Sequence, residues 1–380
     1  MERKVLDGGS LRKEIAVLVG TRPGIIMFAP IIHQLERENV PFITIHSGQH
    51  YSPSMDAEIF DDLSLPQPEY RLEGVSTKRT HGSQTAAMLE GIEEILMERR
   101  PALLLVNGDA NTHLAGALAA RKLHIAVAHV EAGERSDDWS MPEEHNRVII
   151  DHISDLLFTT NQKGLANLRA EGVKGRIHVV GNPLIDASLE HAGLAQSKSA
   201  ILEQLGVAPQ EYAVLTMHRE ENVDRVDHLR NALTGVSQAS IENGWPVVFP
   251  AHPRTIKRLK EFGLDEWSRN LSGIILSPAL AYLDFLNLLI NCRLVFTDSG
   301  GVQQEACLHQ VPCVTLRENT EWTETVEIGA NLLVGTDPAA ICQAVAAWEE
   351  KPHEKWAQPF GQPGASERIV EHLRDELAKP

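Results

Sequence analysis

Glu14-Ile15-Ala16-Val17-Leu18-Val19-Gly20 runs directly into Thr21-Arg22-Pro23-Gly24-Ile25-Ile26. An unbroken apolar run, with no polar residue at alternate positions, describes a strand covered on both faces. The Gly-rich turn after it opens an amphipathic stretch, so strand gives way to helix. The same event recurs at Phe42–His46, Ala102–Val106, Ile125–Val130, Leu156–Thr160 and Ile177–Gly181, with helical patterns at Gln84–Arg100 and Leu114–Lys122 between them. Strand–helix alternation of this kind builds a parallel sheet with helices on both faces. The rhythm pauses after Asn182, where Ala192–Ala200 is small and polar. It restarts at Tyr212–Thr216, Val247–Pro250, Gly273–Leu276, Leu294–Thr297, Val311–Leu316 and Leu332–Gly335.

The expected fold class is therefore α/β, with two doubly wound, Rossmann-like parallel-sheet domains hinged near Gly181–Gly193. Residues 13–183 form the first and 184–365 the second. An amphipathic final helix over 366–380, with Ile369, Val370, Leu373 and Leu377 on one face, returns to the first domain. A length of 380 residues agrees with two cores rather than one.

Lys and Arg number 35 against 52 Asp and Glu, a net charge of −17. That balance argues against nucleic acid and anionic membrane as general partners. Four cysteines without CxxC spacing (Cys292, Cys307, Cys313 and Cys342) suit reduced thiols in the cytoplasm. The polar start carries no signal-peptide pattern, and no apolar run is long enough to span a bilayer.

Ligands of parallel sheets bind beyond the carboxyl ends of the strands. After the first strand, Gly20–Gly24 offers backbone N–H groups and Arg22 to an anion; it is neither a P-loop nor GxGxxG. Later strand ends bring Asn107-Gly108-Asp109 and His129-Val130-Glu131. Pro142-Glu143-Glu144-His145-Asn146-Arg147 opens the next helix. Asp109, Glu131 and Glu143 could meet at one sheet edge, raising one another's pKa into the range of a proton donor or acceptor. Arg135 and Arg147 would hold the rest ionised. His129, Glu131, Glu143 and His145 are metal-ligand types, but their spacing is weak and no metal is assigned. In the second half, His218 closes a strand. Thr297-Asp298-Ser299-Gly300-Gly301 passes from strand to helix with two glycines, which lets backbone amides approach a diphosphate. Glu305 lies about one turn further in, within reach of ribose hydroxyls, and Phe285 is either a base-stacking or a core aromatic.

Read in order, GTRPGIIMFAP (Gly20–Pro30), SGQH (Ser47–His50), NGDANT (Asn107–Thr112), HVEAGERS (His129–Ser136), PEEHNR (Pro142–Arg147), VVGNPLIDA (Val179–Ala187), TMHREEN (Thr216–Asn222), TDSGGVQQEA (Thr297–Ala306) and LRENTEWTETVEIGANLLVGTD (Leu316–Asp337) resemble the bacterial non-hydrolysing UDP-N-acetylglucosamine 2-epimerases. The likeness spans about Ile15 to Leu373. It implies a GT-B-like fold with a nucleotide sugar in the interdomain cleft. It also implies inversion at C2 of the sugar, by elimination of UDP to a 2-acetamidoglucal and re-addition. Carried over by motif, Asp109, Glu131, Glu143 and His218 form the catalytic set. Arg22, Arg147 and His218 face phosphate; Ser299, Gly300 and Gly301 hold the diphosphate; Glu305 takes the ribose and Phe285 the uracil. Gln49 and His50 match a segment where some members bind an activating second UDP-sugar. The resemblance implies a homodimer and no organic cofactor. The family's GTRPEAIKMAP is altered here, with Gly24 for the Glu and Met27 for the Lys, and Trp322 replaces the Arg of TERPE. A hydrolysing epimerase, an epimerase of a related UDP-2-acetamido sugar, a GT-B glycosyltransferase and a non-catalytic nucleotide-sugar sensor remain alternatives.

Overall fold

The computed structural model describes residues 12–49, 59–350 and 355–379. The chain divides into two units. One runs to Ala187 and takes the chain back from Phe360; the other covers Ser188–Pro359.

Seven described strands build the sheet of the first unit: β1 (Arg12–Val19), β2 (Phe42–His46), β3 (Tyr70–Arg71), β4 (Pro101–Asn107), β5 (Ala126–Val130), β6 (Leu156–Thr159) and β7 (Arg176–Val179). Their order is β3-β2-β1-β4-β5-β6-β7, with every pairing parallel. Ile15–Val19 and Leu103–Val106 are buried because helices cover both faces, as their unbroken apolar sequence requires. The helix Arg22–Arg37 sets Ile25, Phe28, Ile32 and Leu35 on its buried side, the i, i+3, i+7, i+10 stripe of a helix lying on a sheet. Pro23 sits in its first turn, and Thr21 caps it by accepting from Gly24 N at 3.3 Å. β7, also read as covered on both faces, is instead an edge strand with Val179 exposed. Its short apolar run has a neighbouring strand on one side only.

The final helix, Ala365–Leu377, packs on Arg22–Arg37 through the buried Ile369, Val370 and Leu373. Asp186 caps it from a distance in sequence, accepting the Gly364 and Ser366 amides at 2.7 Å each. Arg374 pairs with Glu38 at 2.6 Å. The small, polar Ala192–Ala200 stretch breaks the rhythm less than its composition suggests. It is helical as far as Lys198, within Pro183–Lys198, because alanine favours helix whatever face it presents.

The second unit holds β8 (Ala213–Thr216), β9 (Val247–Ala251), β10 (Ile274–Pro278), β11 (Leu294–Thr297), β12 (Cys313–Thr315) and β13 (Asn331–Leu333), in the order β10-β9-β8-β11-β12-β13 and all parallel. Alternate residues enter two different cores. Ala213, Leu215, Val247, Phe249, Phe296 and Val314 pack on one side. Tyr212, Val214, Val248, Val295 and Cys313 pack on the other. A period of two with apolar residues at both phases reads in sequence as a continuous apolar run. All four cysteines are free thiols, three of them buried in this unit's interior.

In both sheets the strand order reverses beside the first strand, between β1 and β4 and between β8 and β11. Those two switch points, at the carboxyl edges, are where each unit can receive a ligand.

Candidate active site

At the switch point of the first sheet, β4 ends in a left-handed turn at Gly108 (φ +61°), and β5 ends in another at Glu131 (φ +65°). A non-glycine residue in that region is uncommon and marks a constrained position. A side chain at Gly108 would bring its Cβ to 3.2 Å from Glu131 Oε2, so glycine leaves the space that the Glu131 carboxyl uses. Burial, with the negative charges of Glu134 and Asp109, pushes the Glu131 carboxyl up to about 8, against a smaller downward pull from Arg147. It is the only carboxyl in the described part of the first unit driven up that far.

Arg147 spans the gap to the next helix, Pro142–Ile153. It donates to Asp109 Oδ2 at 2.5 Å and to Glu144 Oε2 at 2.7 Å. Asn146 donates to the Asp109 carbonyl at 2.8 Å and to Asn111 at 3.1 Å. Asp109 and Glu131 thus share one neighbourhood, with a single guanidinium holding Asp109. Glu143, one residue before Glu144, is half-buried at the helix start, without an ion pair or hydrogen bond among the described residues.

Sequence reasoning overlooked Glu144. Its buried carboxylate accepts from Ser136 N, Ser136 Oγ and Asp137 N, which folds the 136–141 loop onto the helix. Arg135 turns away from the acidic pair and binds Asp151 (2.8 Å) and Glu171 (2.7 Å). The ring nitrogens of His129 face Asp151 and the Gly108 carbonyl, and His145 bonds the Trp139 carbonyl at the surface. Neither histidine is arranged as a metal ligand, and the described residues contain no cluster of three or more His, Cys, Asp or Glu fit for a metal.

Arg22 occupies the first helical position after β1. Gln49 accepts from the Thr112 amide (2.8 Å) and hydroxyl (2.7 Å), capping the helix Asn111–Lys122 from outside. His50 lies outside the described residues.

In the second unit, Asp298 at the end of β11 is fully buried and anchors the turn after β8. It accepts from His218 N (3.0 Å), Arg219 N (3.0 Å) and Asn222 Nδ2 (3.2 Å). His218 is held with its ring 3.4 Å from Asp298 and 5.5 Å, centroid to centroid, from His252. Burial holds the His218 imidazole below its ordinary value, although Asp298 pulls upward. Ser299 is the N-cap of the helix Gly300–Leu308; its amide donates to Thr297 Oγ1 at 2.9 Å.

The glycine at 300 has a local reason. A Cβ there would stand 2.9 Å from the indole Nε1 of Trp322. Trp322 is fixed in turn by its amide to Thr320 Oγ1 (3.1 Å) and by its carbonyl to Thr325 Oγ1 (2.7 Å). Thr320 and Asn331 both bond Gln303 of the same helix. Nothing in the sequence pattern pointed to an indole beside this turn. Glu305 is buried and accepts from Tyr282 Oη at 3.2 Å. Phe285 is half-buried against the Tyr212–Leu288 core.

The model of the family described as UDP-N-acetylglucosamine 2-epimerase matches residues 33–374. The chain belongs to the UDP-N-acetylglucosamine 2-epimerase family. It is 45% identical over 363 residues to the UDP-N-acetylglucosamine 2-epimerase of Methanocaldococcus jannaschii, covering 95% of this chain and 98% of that one. It is 38% identical over 364 residues to the UDP-2,3-diacetamido-2,3-dideoxy-D-glucuronate 2-epimerase of Pseudomonas aeruginosa, covering 95% and 99%. The crystal structure of the M. jannaschii enzyme in complex with UDP-GlcNAc and UDP superposes with a TM-score of 0.84 over 95% of this chain and 99% of that one, at 44% identity. Two parallel-sheet α/β domains of the GT-B-like class are thus the fold of the family, and the chain is an isomerase by membership. No described helix is long and apolar enough to cross a membrane.

Proposed function

We propose that this chain is a non-hydrolysing UDP-N-acetylglucosamine 2-epimerase, interconverting UDP-GlcNAc and UDP-ManNAc. The observation that carries this is the Glu131 carboxyl beside Asp109, pushed to about 8 at the switch point of the first sheet. A group titrating there exchanges protons readily at neutral pH.

The reaction moves one proton and one leaving group each way. A carboxylate takes the C2 hydrogen as a proton, and its bonding electrons form C1=C2. The C1–O bond breaks and its pair leaves on the UDP oxygen, giving the 2-acetamidoglucal. A proton then adds to C2 from the opposite face, and UDP returns to C1. Asp109, Glu131 and Glu143 are the acid/base set, with Arg147 balancing the charge of Asp109. Ser299 and the Gly300 and Gly301 amides hold the diphosphate at the start of their helix, with Arg22 and His218 as further phosphate partners. Glu305 serves the ribose and Phe285 the uracil. Gln49 and His50 are proposed for an activating second nucleotide sugar. The reading includes exclusion of water from the bound sugar, which favours return of UDP over hydrolysis. It also includes a homodimer in the cytoplasm, without nucleic-acid partners, in keeping with the free thiols and the charge of −17.

Proton NMR of UDP-GlcNAc with the protein in D2O tests the proposal. UDP-ManNAc should appear with deuterium at C2. Free UDP with free sugar would establish the hydrolysing outcome instead. Absence of both products and of C2 exchange, while UDP-2,3-diacetamido sugars turn over, would transfer the activity to that substrate class.

A further inference from the structure

The three segments that carry Asp109, Glu131 and Glu143 are tied together by one buried pair. His129, the penultimate residue of β5, and Asp151, near the end of the helix Pro142–Ile153, are 1% and 0% exposed. His129 Nδ1 lies 2.7 Å from Asp151 Oδ1, and Nε2 lies 2.9 Å from the Gly108 carbonyl. Both ring nitrogens lie within hydrogen-bond distance of an oxygen atom. The second oxygen of Asp151 accepts from Gly133 N at 3.0 Å and from Arg135 at 2.8 Å. Each end of this chain lies next to a candidate catalytic group. Gly108 precedes Asp109. Gly133 closes the left-handed turn that begins at Glu131, and a Cβ on it would stand 2.4 Å from the Gly164 carbonyl, so the turn packs there without space for a side chain. Asp151 rides on the helix whose first turn holds Glu143.

We infer that His129 and Asp151 are the positioning pair of the reaction, holding the turns after β4 and β5 and the Glu143 helix in one register. Neither residue touches substrate. They act through the Gly108 carbonyl and the Gly133 amide, so that Asp109 and Glu131 keep their spacing and the strained backbone at Glu131 persists. This rests on the acid/base reading of Asp109, Glu131 and Glu143. Misplacement of a reacting group by about 1 Å costs on the order of 100-fold in rate, and a loosened latch acts on kcat rather than on substrate affinity.

The test compares Asp151→Asn, His129→Gln and the double variant H129L/D151L, which removes both partners together and keeps the site packed. The measurements are epimerisation kinetics from pH 6 to 9 and UDP binding by calorimetry. The expected result is kcat lower by about 100-fold, KM and UDP affinity within about threefold of the parent, and a displaced alkaline limb of the pH profile, because the Asp109–Glu131 spacing has changed. The double variant, folded by its melting profile, should show the same kcat loss. Parent-like kcat and pH profile in that folded double variant would overturn the inference. Should the parent chain itself neither epimerise UDP-GlcNAc nor exchange its C2 hydrogen, the acid/base reading fails first, and the two failures are told apart by that control.

Discussion

Replacing Glu131 by Gln should slow epimerisation sharply and yet stabilise the protein, by an amount that grows with pH. In the unfolded chain a glutamate ionises near 4.5, whereas the folded site keeps its proton up to about 8. Between those values the folded state binds more protons than the unfolded one, so stability falls as pH rises. The whole interval corresponds to about 5 kcal/mol, reached in full above pH 8 and absent below pH 4.5. Glu131 keeps partial exposure, and solvent relaxation around it trims that ceiling to about 2–3 kcal/mol. Gln is neutral at every pH and is shaped like the protonated acid. The variant should therefore melt within about 2 °C of the parent at pH 5 and about 5–10 °C higher at pH 8, on the scale of a domain of this size. Scanning calorimetry of both chains at pH 5, 6, 7 and 8 reads the difference, while kcat of the variant drops by about 10²–10⁴. A gap in melting temperature that is the same at pH 5 and pH 8 would refute a buried, proton-holding Glu131.

Arg147→Met removes the guanidinium that pairs Asp109 and pulls the Glu131 carboxyl downward. The alkaline limb of the kcat profile should then move to higher pH, and an unmoved limb would show that the guanidinium does not act on the acid/base set. Asp298→Ala strips the acceptor from the His218 and Arg219 amides; leaving these half-buried groups without their acceptor costs about 1 kcal/mol, which a melting experiment checks, together with a raised KM for UDP-GlcNAc. Gly300→Ala sets a Cβ 2.9 Å from Trp322 Nε1, so it should weaken UDP binding by at least about tenfold. The pair G300A/W322A should recover part of that loss, and a strictly additive cycle would show that the indole does not bear on the turn. Trp322→Arg introduces a cation beside the same turn, and calorimetry at 50 and 500 mM salt should show UDP affinity becoming more salt-sensitive than in the parent.

The fold was legible in the primary sequence because its signal is local. Strands buried on both faces must be apolar at consecutive positions, as in Ile15–Val19, and the turns that leave them need glycine or a cap at fixed places. Parallel connections of one hand then decide which face of the sheet each helix covers. That local signal placed Asp109, Glu131, His218 and Ser299 at strand ends, and with them the class of chemistry. Composition misled where it stands for environment: Ala192–Lys198 is polar and small yet helical, and β7 is apolar yet an edge.

What only the tertiary structure decided is which charges answer which. Arg135 and Arg147 are equivalent by sequence, but one serves Asp151 and Glu171 and the other Asp109 and Glu144. Glu143 and Glu144 are neighbours, and a helix rotates successive side chains about 100° apart, so one is spent as a buried loop cap while the other has no ion pair among the described residues. The His129–Asp151 latch and the indole against Gly300 join residues about twenty positions apart, brought together by folding. Hydrogen bonds and charge effects act over a few ångströms of space, and sequence separation carries no record of that distance.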